Sequence, residues 1–99
     1  MTLDELRVQI DEIDAELLAL INRRARCVME IGEIKRREKV AVLDADREQR
    51  LFARLLERNE GPISEAMLRQ IFQEIIDTLK VLQRPEGESS DSPAERQVS

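Results

Sequence analysis

Histidine, tryptophan and tyrosine are all absent from this chain, and cysteine occurs once. Each gap removes a class of chemistry. Without histidine there is no Ser–His–Asp triad, no imidazole metal ligand and no imidazole proton shuttle. The lone Cys27 cannot close an internal disulfide, which fits a reducing compartment and a cytoplasmic location. Two phenylalanines are the whole aromatic content, so the core must be aliphatic. Glycine is scarce and scattered, which excludes a glycine-rich phosphate loop. No apolar run approaches the ~18 residues needed to cross a membrane. The opening stretch MTLDELRVQI is acidic and amphipathic, unlike a secretory leader.

Positive charge is not in excess either. The net charge is −5, which argues against nucleic acid as a partner. Its distribution is uneven. Residues 85–99 hold one Arg against four acids, whereas residues 23–39 hold seven cations against three acids, a local +4. An acidic chain with a basic helical segment suits a small anionic ligand better than a polymer.

What is present is helical periodicity. Ninety-nine residues support one domain. A first helix is predicted from about Leu3 to about Lys39, with Thr2 and Glu5 as a capping box. Leu3, Leu6, Ile10, Ile13, Leu17, Leu20/Ile21, Val28, Ile31 and Ile34 recur along it at helical spacing. At 1.5 Å per residue it would be about 55 Å long. VAVL at 40–43 is a short connector. A second helix follows from about Ala45 to Asn59, with Asp44 as N-cap and Leu51, Phe52, Leu55 and Leu56 as its apolar face. EGP at 60–62 is a stop signal. A third helix begins after Ser64, with Ile63 and Leu68 as a hydrophobic staple, and ends before Pro85. The expected domain is 1–84. The polar, acidic stretch 85–99 lacks periodicity and reads as a disordered tail, which suggests a stand-alone domain.

The expected fold class is therefore all-α: one long and two shorter helices. The short helices cannot cover the whole apolar stripe of the long one. A monomer would leave a large apolar strip in water, so a homodimeric helical bundle is expected.

Residues 23–35 read RRARCVMEIGEIK. The apolar row here runs Leu17, Ile21, Arg24, Val28, Ile31, Lys35, so two cations stand where aliphatic residues belong. Burying an unpaired cation costs several kcal/mol. Arg7 flanks the same stripe. Arg47 and Glu48 lie one turn before Leu51 and Phe52, and Gln83 lies one turn after Leu79. Each has an ordinary structural reading when taken alone. An Arg in an apolar row snorkels; Arg47, Glu48 and Gln83 are surface residues; Asp44 and Asp46 cap a helix; Cys27 is a small core residue. Gly32 either marks the close approach of another backbone or marks nothing. Taken together, inward cations outnumber inward acids, and such a cavity needs an anion. Carboxylates suit it, because the planar guanidinium donates to both oxygens at once. A dianionic small molecule is the ligand to expect.

With these residues in view, the chain resembles the all-helical chorismate mutases. The likeness covers about residues 3–84. It rests on LRVQIDEIDAELLALINRR (6–24), GEIK (32–35), the connector with DADRE (44–48), and IFQEIIDTLKVLQ (71–83). The resemblance implies a three-helix protomer in an intertwined homodimer with shared active sites. It implies an isomerase, an intramolecular transferase that converts chorismate to prephenate by a [3,3] rearrangement in aromatic amino-acid biosynthesis, without cofactor or metal. By the same resemblance, Arg24 binds a substrate carboxylate, and Arg7 reaches another from the partner protomer. Lys35 contacts a carboxylate and the ether oxygen, and Gln83 donates to that oxygen. Glu48 accepts from the ring hydroxyl, helped by the backbone near Asp44, and Arg47 adds positive potential. Leu79 departs from the pattern, because relatives often carry a small hydroxyl residue there; Thr78 is adjacent but points about a quarter-turn away.

Other readings compete, among them a coiled-coil scaffold, which the connector and the third helix weaken. An isochorismate–pyruvate lyase shares the fold and pocket but eliminates pyruvate, and its relatives tend to lack the DADRE pattern. A non-catalytic helical dimerisation module would treat Arg24 and Lys35 as snorkelling residues.

Overall fold

The computed structural model describes residues 1–38 and 45–83. Three α-helices account for most of them: α1, Leu3–Glu38; α2, Ala45–Arg58; and α3, Glu65–Lys80, extended by a 3₁₀ turn over Val81–Gln83. Among the described residues there is no strand. The connector, the Asp44 cap and the tail from residue 84 onward lie outside the described residues.

Local chemistry sets the helix ends. Thr2 and Glu5 form the reciprocal capping box: Thr2 N–H donates to Glu5 Oε1 at 2.9 Å, and Glu5 N–H donates to Thr2 Oγ1 at 3.1 Å. At α3, Met67 N–H donates to Ser64 Oγ at 3.1 Å. Between α2 and α3 the chain turns through Gly61, whose φ of +82° is the left-handed conformation that favours glycine. Asn59 braces this turn. Its Oδ1 accepts from Gly61 N–H and its Nδ2 donates to the Ile63 carbonyl, each at 3.0 Å.

α2 and α3 pack on each other, and α3 with its 3₁₀ turn packs on α1. The core is thin. Phe52, Leu68 and Ile76 are buried, flanked by half-buried Leu51, Leu55, Leu56, Ile63 and Phe72. The Ile63–Leu68 staple closes its far end. On α1 only Val28 and Gly32 are buried. Gly32 resolves the alternative left open above: a Cβ there would meet Gln83 Cα at 2.7 Å and Gln83 O at 2.9 Å. The missing side chain lets the 3₁₀ turn lie directly on α1.

The length mismatch has the expected result. α1 is about 54 Å long, α2 about 21 Å and α3 about 24 Å, so the shorter pair reaches only the C-terminal part of α1. Leu6, Ile10, Ile13, Leu17, Leu20, Ile31 and Ile34 remain between 41% and 54% exposed. With Arg24 and Cys27 they form a row spaced alternately by four and three residues, the spacing of a coiled-coil seam. Cys27 belongs to this row and is exposed, so it is not part of the core that its own chain forms. It lies about 100° around the helix from Val28, on the side that no helix among the described residues covers.

Candidate active site

Three elements bring their polar residues to one place. On α1, Arg24, Val28, Ile31 and Lys35 recur at steps of four, three and four, so they share a face. The first turns of α2 supply Arg47, Glu48 and Leu51. From α3 and its 3₁₀ turn come Ile76, Lys80 and Gln83, again spaced four and three. These ten residues line an open cavity of about 280 Å³. Val28, Ile31, Leu51 and Ile76 give it an aliphatic wall.

Arg24, Lys35, Glu48 and Gln83 are half-buried, and Arg47 is exposed. Lys35 stands in the last turn of α1, where the helix dipole favours a cation; Glu48 stands in the first turn of α2, where it favours an anion. The Gln83 backbone lies directly against Gly32, and Gln83 lines the cavity. Its Oε1 is buried and has no hydrogen-bond partner among the described residues. A buried polar atom without a partner costs about 1–3 kcal/mol, and the carboxamide can be turned so that its NH₂ takes that position. Either orientation leaves Gln83 suited to a polar ligand atom.

Of the seven residues expected at the site, Arg24, Lys35, Arg47, Glu48 and Gln83 line this cavity. Arg7 does not. It is exposed on α1, seventeen residues before Arg24, or about 25 Å along the axis. Asp44 lies outside the described residues. Leu79 is half-buried and does not line the cavity. The Thr78 hydroxyl is exposed and donates to Glu74 Oε2 at 3.5 Å, so it offers nothing to the cavity.

Lys80 is the polar lining residue that the sequence reading missed. Its Nζ lies 2.9 Å from Glu48 Oε2 and 4.0 Å from Asp77 Oδ1. The available signal is its spacing, four residues after Ile76 and three before Gln83. The apolar row traced through Leu79 and Leu82 runs one step around the helix from it.

The lining therefore holds four cations, one carboxylate and one amide around an aliphatic patch. Among the described residues the lining includes no hydroxyl, thiol or second carboxylate, so it provides no hydroxyl or thiol nucleophile and no acid–base pair of carboxylates. Among the described residues no cluster of acids and cysteine could hold a metal ion, and no helix is long and apolar enough to cross a membrane. What the arrangement can do is bind an anionic molecule with an apolar body, hold its shape, and stabilise negative charge with fixed donors.

Comparison with known proteins agrees with this chemistry. The family model for chorismate mutase type II matches residues 6–84. A bifunctional chorismate mutase/prephenate dehydratase of Stutzerimonas stutzeri is 32% identical over 88 residues, covering 84% of this chain and 24% of that protein. The chain thus spans about a quarter of the length of such curated relatives. A chorismate mutase of Methanocaldococcus jannaschii is 34% identical and is covered over 84% of its own length. Among solved structures, the chorismate mutase (form II) of Thermus thermophilus superposes with a TM-score of 0.81 at 30% identity, over 84% of this chain and 94% of that one.

Proposed function

The chain belongs to the chorismate mutase type II family, and from that premise we propose that it converts chorismate to prephenate. In this rearrangement the ether C–O bond of the enolpyruvyl arm breaks as a C–C bond forms to the ring. No proton, electron or group leaves the molecule. The reaction needs no nucleophile and no acid–base pair; it is sufficient that the site folds the arm over the ring and meets the charge growing on the ether oxygen. The observation that carries this reading is the convergence of Arg24, Lys35, Arg47, Glu48 and Gln83 on one aliphatic-walled cavity.

In this reading Arg24 grips a carboxylate, and Lys35 spans a carboxylate and the ether oxygen. Gln83, with its carboxamide turned so that the NH₂ takes the buried position, donates to that same oxygen. Glu48 accepts from the ring hydroxyl, while Arg47 at the mouth adds positive potential. Asp44 would contribute through its backbone. The catalytic unit is residues 1–84, acting in the cytoplasm without cofactor.

The active form is a homodimer. The exposed seam of α1 favours this, since a second α1 would cover it. The seam runs from Leu6 to Ile34, so its midpoint is Leu20. In a symmetric antiparallel pair, Arg7 then stands opposite residue 33 of the partner (2 × 20 − 7), level with the Ile31–Lys35 end of the cavity. That supports Arg7 as a carboxylate ligand supplied to the partner's site.

The test is to incubate the purified chain with chorismate, follow the loss of its ultraviolet absorbance and identify the product by chromatography. Prephenate from the wild type, with turnover lost by at least a hundredfold in a folded Arg24→Ala variant, is expected. Pyruvate as the product, or no consumption, would overturn the reading.

A further inference from the structure

The carboxylate in the cavity faces a choice of cations. Glu48 shares a space of about 280 Å³ with Arg24, Lys35, Arg47 and Lys80, and its flexible side chain can turn among them. The structure shows it at 2.9 Å from Lys80. Lys80 has a second acid nearby, Asp77, but that one is farther, at 4.0 Å, and more exposed, 57% against 29% for Glu48. Lys80 is itself held from two sides. Glu48 holds its head from α2 and Asp77 flanks it from its own helix. The pair therefore joins the inner faces of α2 and α3 across the cavity.

We infer that Lys80 is a positioning residue, which holds the Glu48 carboxylate at the α3 side of the cavity as the acceptor for the substrate's hydroxyl. This rests on the reading of the site given above. The geometry gives Lys80 two effects. It fixes the acceptor against α3. It also keeps the carboxylate from turning toward Arg24 or Lys35, where it would compete with the carboxylates of the incoming dianion. With an apolar residue at position 80, Glu48 would pair with one of the substrate-binding cations, and both acceptor and cation would be lost together. A lysine that instead gripped the substrate directly would act independently of Glu48. The two roles thus differ in coupling.

A double-mutant cycle on the full chain separates them. Steady-state kinetics with chorismate are measured for the wild type, Lys80→Met, Glu48→Gln, the double variant, and Lys80→Arg. Lys80→Met should lower kcat/KM about tenfold, a coupling of ordinary size for residues in contact. In the Glu48→Gln background the same change should cost nothing further, because the partner through which Lys80 acts is gone. Lys80→Arg, which can keep the ion pair, should recover most of the loss. Additive losses in the cycle, or a Lys80→Met enzyme as active as the wild type, would overturn the inference while leaving the proposed reaction intact. A wild type that fails to consume chorismate would remove both. Thermal melts accompany each variant; Lys80→Gln carries the same cycle should Lys80→Met not fold.

Discussion

Gly32 shows how a single missing side chain organises the site. Helix propensity alone favours alanine over glycine there by about 1 kcal/mol. Tertiary contact reverses the sign, since the new Cβ would sit 2.7 Å from Gln83 Cα, a backbone atom that cannot turn aside. Gly32→Ala is expected to push the 3₁₀ turn off α1, lower kcat/KM by at least tenfold and lower the melting temperature, all readable from kinetics and a thermal melt. A variant with unchanged kinetics and a raised melting temperature would mean that the turn yields easily. At this scale the sequence was partly legible. Cations and an amide in apolar rows marked Arg24, Lys35 and Gln83, because polar groups are expensive to bury without a purpose. Lys80 escaped notice because a lysine beside apolar residues reads equally well as a solvated one. Only the rotation of α3 about its axis shows which way it faces.

The elements themselves were written locally. Capping boxes, N-caps and glycine stops act within four residues, so they survive as sequence signals without any tertiary information. Ser64→Ala should cost about 1 kcal/mol by removing the bond to Met67 N–H, measured as a shift in denaturant midpoint at constant slope. Gly61→Ala should cost about 1–2 kcal/mol, since φ of +82° is unfavourable for any residue with a Cβ. By contrast, the exposed pairs Arg36–Glu33 and Arg69–Glu65 sit within single helices at the surface, and breaking either should leave the midpoint nearly unchanged. What the local signals did not settle was how α1 divides its circumference. Cys27 fits an apolar row equally well whether its own chain or a second copy covers that row.

For the whole molecule, the thin core and the long exposed seam belong together. No side chain among the described residues is fully buried, and a protomer that leaves Ile10, Ile13, Leu17 and Leu20 half in water has little to hold it alone. The melting temperature should therefore rise with protein concentration. Leu20→Glu, at the seam's midpoint, would set two carboxylates against each other and should yield a monomer in sedimentation equilibrium, with turnover lost. If Arg7 serves the partner's site, mixing and re-annealing Arg7→Ala with Arg24→Ala should restore activity. Half the dimers would be mixed, each with one intact site, so roughly a quarter of wild-type activity should return. No recovery would place Arg7 outside the partner's site or the two chains in separate molecules.

The sequence by itself determined the three helices, the caps at the starts of α1 and α3, the mismatch in helix lengths and the expectation of an anionic ligand. These follow from periodicity, capping and the cost of burying charge, all of which act over a few residues or sum along the chain. Tertiary structure alone decided which faces meet. It set the 3₁₀ turn against Gly32, turned Lys80 onto Glu48, left Cys27 on the open side of α1, and closed one cavity from side chains as far apart in the chain as Arg24 and Gln83. Such choices depend on the rotation of each helix about its own axis. Many rotations satisfy the same local pattern, and only packing selects among them.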